Sequence, residues 1–102
     1  MKVAERGTLE VEYSASTAVV SRLIADETLV VPIRNGVGDL ASIYTFNSVG
    51  TLLWDEISSG KKTLQVLVNA ITQAYQVSAE QALRDATAFL EELEKEGLLT
   101  RV

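Results

Sequence analysis

The 102-residue chain contains no cysteine and no histidine. The first absence removes disulfide frameworks, thiol nucleophiles and thiolate metal sites. The second removes the side chain that most often serves as general base near neutral pH and as metal ligand. Basic charge is also scarce: 9 Lys and Arg stand against 14 Asp and Glu, a net charge of −5. That balance repels phosphate backbones and argues against nucleic-acid binding. Apart from the Lys61-Lys62 pair, the basic residues are scattered. No apolar run approaches the ~18 residues of a membrane span, and the opening MKVAERGTLEVEY lacks the apolar segment of a signal peptide. A soluble, cytoplasmic protein with no membrane partner is expected. What is present is ordinary globular composition, 47% hydrophobic and 23% charged. The length suits a single domain over residues 1–102, with residues 1–14 either a flexible arm or an extra strand.

The hydrophobic pattern changes period along the chain. Leu9, Val11 and Tyr13 alternate with Glu10 and Glu12, as in a half-buried strand that Ser14 to Thr17 would break. Val19 to Ala25 and Thr28 to Ile33 read as strands separated by Asp26-Glu27. The only proline, Pro32, cannot donate to a ladder, so the second strand is an edge or ends there. RNGVGD over 34–39 carries an Asn-Gly turn step in a longish loop. Leu40 to Phe46 returns as a strand. Helical spacing then takes over. Asn47 or Ser48 can cap a helix carrying Val49, Leu53, Trp54 and Ile57, which Ser58 to Gly60 end. Thr63 can cap a second helix, with Leu64, Leu67, Val68, Ile71 and Tyr75 on one face. Ser78 with Gln81 has capping-box spacing ahead of a third helix whose inner stripe is Ala82, Ala86, Phe89, Leu90 and Leu93. Gly97 fits the left-handed position after that helix. The expected fold is α+β: a small antiparallel sheet of about three strands followed by a three-helix bundle, resembling a winged helix. Its expected core is Val49, Leu53, Trp54, Ile57, Leu67, Ile71, Tyr75, Phe89, Leu90 and Leu93.

Little in this inventory supports catalysis. The serines and threonines lack a histidine to activate them, and Lys61 and Lys62 fall in an exposed turn. Asp55 and Glu56 are adjacent on a helix and point apart. Glu91, Glu92, Glu94 and Glu96 fit the solvated face of an amphipathic helix, or a surface that attracts a basic partner. Gly36 and Gly38 spell G-x-G without the third glycine or helix start of a nucleotide site. Gly50 in a first helical turn points to close approach by a neighbouring strand. No cofactor and no metal site is expected, and the chain reads as a non-enzyme. A winged-helix DNA-binding domain is one alternative. Its second helix offers Gln65, Asn69, Thr72, Gln73 and Gln76 but no basic residue, so phosphate contacts are missing. A plain oligomerisation module is another.

The order of small and bulky residues resembles the PqqD-like family. Phe46, Asn47, Gly50, Leu53, Trp54, Gly60 and Thr63 fall on that family's helix–turn pattern. Tyr75 and Val77 match its Tyr-x-Val step, and Phe89, Leu90, Leu93, Gly97, Leu98 and Leu99 match its closing segment. Phe46 replaces the usual Leu, Ala86 stands where a larger aliphatic is common, and the loop at 34–39 is longer than usual. The resemblance implies an adaptor that binds the leader of a ribosomally made precursor peptide and delivers it to a modifying enzyme, often a radical S-adenosylmethionine protein. It implies that the leader adds as a strand to an exposed edge beside the third helix. An edge kept open in this way also invites self-pairing into a homodimer. On this reading the peptide pairs with the backbone of Ala41, Ser42, Ile43, Tyr44 and Thr45. Ala82 and Ala86 leave room on the helix, Leu83 meets an apolar anchor, and Arg84 and Asp85 supply polar ends. The competing reading is that Ala82 and Ala86 only permit close helix packing.

Overall fold

The computed structural model describes residues 11–38 and 42–101. Its strands are β1 (Glu12–Ala15), β2 (Val19–Ile24), β3 (Glu27–Arg34), β4 (Val37–Gly38), β5 (Tyr44–Phe46), β6 (Lys62–Thr63) and β7 (Leu99–Arg101). Its helices are α1 (Ser48–Ser58), α2 (Leu64–Ala74) and α3 (Ala79–Lys95). All ladders are antiparallel. The α+β class holds, and the sheet expected from the sequence is present as β2, β3 and β5, with β3 in the middle. A second sheet, ordered β6-β1-β7, was not anticipated. The alternation that ends at Tyr13 overlaps β1, but β6 and β7 are two and three residues long, too short for alternation to register. Ser14 and Ala15 extend β1 instead of breaking it, because they pair with Thr100 and Leu99. Leu9 and Glu10 lie outside the described residues.

Pro32 ends a ladder without ending a strand. The Ile33 N–H donates to the Ala18 carbonyl at 2.8 Å, which turns odd-numbered backbone groups of β3 toward β2. Even-numbered groups therefore face β5, as in the pairs Thr28–Phe46 and Val30–Tyr44. Pro32 faces that side one step beyond Val30–Tyr44, where its missing N–H coincides with the end of β5. The 34–39 segment is mostly a hairpin rather than a loop. Arg34 pairs with Val37 around Asn35 and Gly36, whose φ values of 56° and 77° are those of a mirror-image turn. Among the described residues of the expected Leu40–Phe46 strand, Tyr44–Phe46 is β-structure; 39–41 lie outside the described residues.

The helices are capped as their sequences ask. The side chains of Asn47, Thr63 and Ser78 accept from the N–H groups of Gly50, Val66 and Gln81. The capping box at Ser78 stays half-closed, because the Gln81 amide donates to Asp85 at 2.8 Å instead. Gly97, at φ 75°, closes α3. Leu98 N–H bonds back to the Leu93 carbonyl at 2.9 Å, and Gly97 N–H to Glu94 at 3.2 Å. The core joins Val30 of β3, Leu53, Trp54 and Ile57 of α1, Leu67 and Ile71 of α2, and Ala82, Ala86, Leu90 and Leu93 of α3. Val49 and Phe89 flank it, half-buried. Tyr75 departs from expectation and is 37% exposed. Its backbone leaves the helix for an extended conformation, which swings the ring outward. A buried hydroxyl pair, Thr28 to Thr51 at 2.8 Å, ties β3 to α1.

Candidate functional site

β5 is paired on one side only, to β3, among the described residues. Since Tyr44 and Phe46 turn their backbone groups toward β3, those of Ile43 and Thr45 face the opposite, outer edge. Side chains alternate the other way. Tyr44 and Phe46 lie on the sheet face that covers the helices, whereas Ile43 and Thr45 are exposed on the outer face. α3 runs beneath this edge. The Tyr44 hydroxyl donates to Glu96 Oε1 at 2.7 Å. The Phe46 ring meets Phe89 edge-on at 5.1 Å between centroids and Trp54 at 5.4 Å. The strand and the helix are thus fastened at two points, Glu96 at one end and Phe89 toward the other.

Beside Phe46 a cavity of about 280 Å³ opens between α1 and α3. Asn47, Val49, Gly50, Leu53, Asp85, Ala88 and Phe89 line it. Gly50 is what permits this arrangement. A Cβ there would lie 2.9 Å from Phe46 Cβ and 3.2 Å from Phe89 Cε1, closer than normal contact. The lining is mostly apolar, with the Asn47 amide and Asp85 carboxylate as polar groups. The size of the cavity suits one apolar side chain.

The residues expected to form a site divide into those the structure brings together and those it separates. Ala41 lies outside the described residues. Ser42, Ile43, Tyr44 and Thr45 follow one another along the edge, and Asp85 lines the cavity. Ala82 and Ala86 are fully buried in the core, so they line no groove. Their burial is what the packing reading of these two alanines expects. Leu83 is 45% exposed but lies on the opposite flank of α3, one turn before Thr87. Arg84 is exposed and donates to Gln81 at 2.9 Å. A helix distributes the five consecutive residues 82–86 around its whole circumference, so they do not share one surface. The flank facing β5 is Asp85, Phe89, Glu92 and Glu96, spaced i, i+4, i+7 and i+11, with Ala88 beside it. Helical spacing counted from Phe89 would have found it. Asn47, Val49 and Gly50 carried no separate binding signal, because capping and packing account for them.

Two comparisons bear on this geometry. Residues 27–99 match the family described as coenzyme PQQ synthesis protein D (PqqD), a span from β3 to the start of β7. The chain is also similar to a solved structure described as TbiB1 in complex with the TbiA(beta) leader peptide. The two share 30% identity with a TM-score of 0.72, over 84% of this chain and 93% of that one. No curated protein matches. The family match covers most of the chain and includes all three helices and the β5 edge: this chain belongs to the PqqD family.

Proposed function

We propose that this chain is a non-catalytic adaptor that binds the leader of a ribosomally made precursor peptide and presents it to a modifying enzyme, such as a radical S-adenosylmethionine protein. The observation that carries this reading is the similarity to TbiB1, which was solved with a leader peptide bound. The geometry gives the reading a mechanism. A peptide strand pairs with the outer edge of β5 through Ile43 and Thr45. Its alternate side chains then lie over the flank of α3, and one enters the cavity between α1 and α3. Net backbone hydrogen bonds are worth only about 0.5–1.5 kcal/mol each, and association carries a large entropic cost. Selectivity therefore falls to the anchor, where burying an aliphatic side chain contributes about 1.5–3 kcal/mol.

The outer edge of β2 is also unpaired among the described residues, and it carries exposed Val20, Leu23 and Ile24. The β5 edge is favoured because α3 runs along it with a cavity at hand. Before a peptide arrives, the same edge is open to pairing with a second copy, so peptide binding should dissociate any homodimer formed there.

The test is a titration with the leader of a precursor encoded beside the gene. Ala88→Trp fills the cavity from an exposed position and should weaken binding at least about tenfold, as expected for loss of an apolar anchor. Gln73→Glu on the far side of α2 should leave affinity unchanged. A folded Ala88→Trp variant that binds as tightly as the parent would refute this placement.

A further inference from the structure

The flank of α3 that faces β5 carries charge of one sign. Asp85, Glu92 and Glu96 lie along it, and no Lys or Arg shares that stripe. Two of the three are already fastened from within the chain. Asp85 accepts from Gln81, and Glu96 accepts from Tyr44. Neither contact brings a positive charge. Elsewhere on the same helix an acidic side chain does have its counter-ion, since Glu94 pairs with Arg101 at 3.1 Å on the opposite flank. The last turn of α3 adds its own negative potential through the carbonyl end of the helix.

These carboxylates have a fixed order and spacing along the flank that faces β5. Phe46 and the cavity mark one end, Tyr44 and Glu96 the other, so α3 runs antiparallel to β5. A strand added antiparallel to β5, as every other ladder in this sheet is antiparallel, runs from the cavity toward Glu96. Along α3, Glu92 is about 4.5 Å and Glu96 about 10.5 Å beyond Phe89, at 1.5 Å per residue. The next groove-facing residue of the peptide comes two positions after the anchor, about 6.6 Å on, between the two carboxylates.

We infer that the site selects peptides with an apolar anchor followed two residues later by Lys or Arg: the anchor fills the cavity among Asn47, Gly50 and Phe89, and the cation lies between Glu92 and Glu96. This inference rests on the peptide-binding reading above and names the class of peptide it takes. The overall charge of −5 works in the same direction by steering basic peptides toward the surface.

The experiment is selection of a phage-displayed random dodecapeptide library on the whole chain, followed by synthesis of enriched peptides with the predicted basic residue kept or changed to Glu. Enriched sequences should show the apolar-x-basic spacing. The Glu peptides should bind more weakly by about three- to fivefold or more, with the difference shrinking as salt rises. Glu92→Lys should reverse the preference, while Glu91→Lys, an equal charge change on another face, should not. If enriched peptides perturb the amide resonances of Thr45 and Phe89 but show no basic preference at that position, the inference fails and the peptide-binding reading stands. If no enriched peptide perturbs Thr45 or Phe89, both fail.

Discussion

Gly50 is the position where the site's construction is most exposed to test. Replacing it with Ala adds one methyl group to the first turn of α1. An interior helical Gly→Ala change normally stabilises by about 1 kcal/mol through helix propensity. Here the new Cβ would meet Phe46 Cβ at 2.9 Å and Phe89 Cε1 at 3.2 Å. Phe46 cannot retreat easily. Its backbone is paired to Thr28, and its ring is held between Trp54 and Phe89. Overpacking of this kind costs about 1–3 kcal/mol, and a contact pinned on both sides belongs toward the upper end of that range. The net expectation is destabilisation by about 1–2 kcal/mol, a fall in Tm of about 4–16 °C for a domain of this size. Urea and thermal unfolding followed by circular dichroism measure it. The displaced β5 and the narrowed cavity should also weaken peptide binding by more than the stability change alone would. Gly50→Ala with unchanged or raised stability would refute the close approach of β5 to α1 and α3.

Two further substitutions probe the frame of the site. Thr51→Val leaves the buried Thr28 hydroxyl without its partner and should cost about 1–3 kcal/mol, whereas Thr28→Val combined with Thr51→Val should recover most of that loss; the coupling is read from a double-mutant cycle in urea. Trp54 is 2% exposed, and its indole N–H has no hydrogen-bond partner among the described residues. Trp54→Phe removes that unsatisfied donor as well as ring volume, so it should stay within about 1 kcal/mol of the parent, while Trp54→Ala should lose about 3–5 kcal/mol.

The helical half of this chain was legible because its signals are local and redundant. Caps at Asn47, Thr63 and Ser78, a stop at Gly97 and apolar residues at helical spacing all agree, and each is decided within a few residues of itself. The strands were legible in place more than in pairing. β3 declared itself through β-branched residues, but β1 and β6 exist because distant segments meet, Glu12 with Thr63 and Ala15 with Leu99. No periodicity encodes such a meeting. Pro32 left two readings open, an edge or a strand end, and it ends only the ladder on one side, a distinction that needs the register. The edge part of the candidate site followed from the order of elements. The helical part was ambiguous in the sequence, because Ala82 and Ala86, being small, fit a groove and a tight helix contact equally well. Burial separates the two: both alanines are in the core, and the flank of α3 that faces β5 is instead Asp85, Phe89, Glu92 and Glu96.

Amide hydrogen exchange on the chain with and without the leader of a neighbouring precursor tests strand addition at β5 most directly. Backbone pairing at that edge predicts that the Ile43 and Thr45 amides become strongly protected when the peptide binds, while Ser21 and Leu23 on the outer edge of β2 stay unchanged. Protection at Ser21 and Leu23 instead, or binding that leaves Ile43 and Thr45 unprotected, would contradict it.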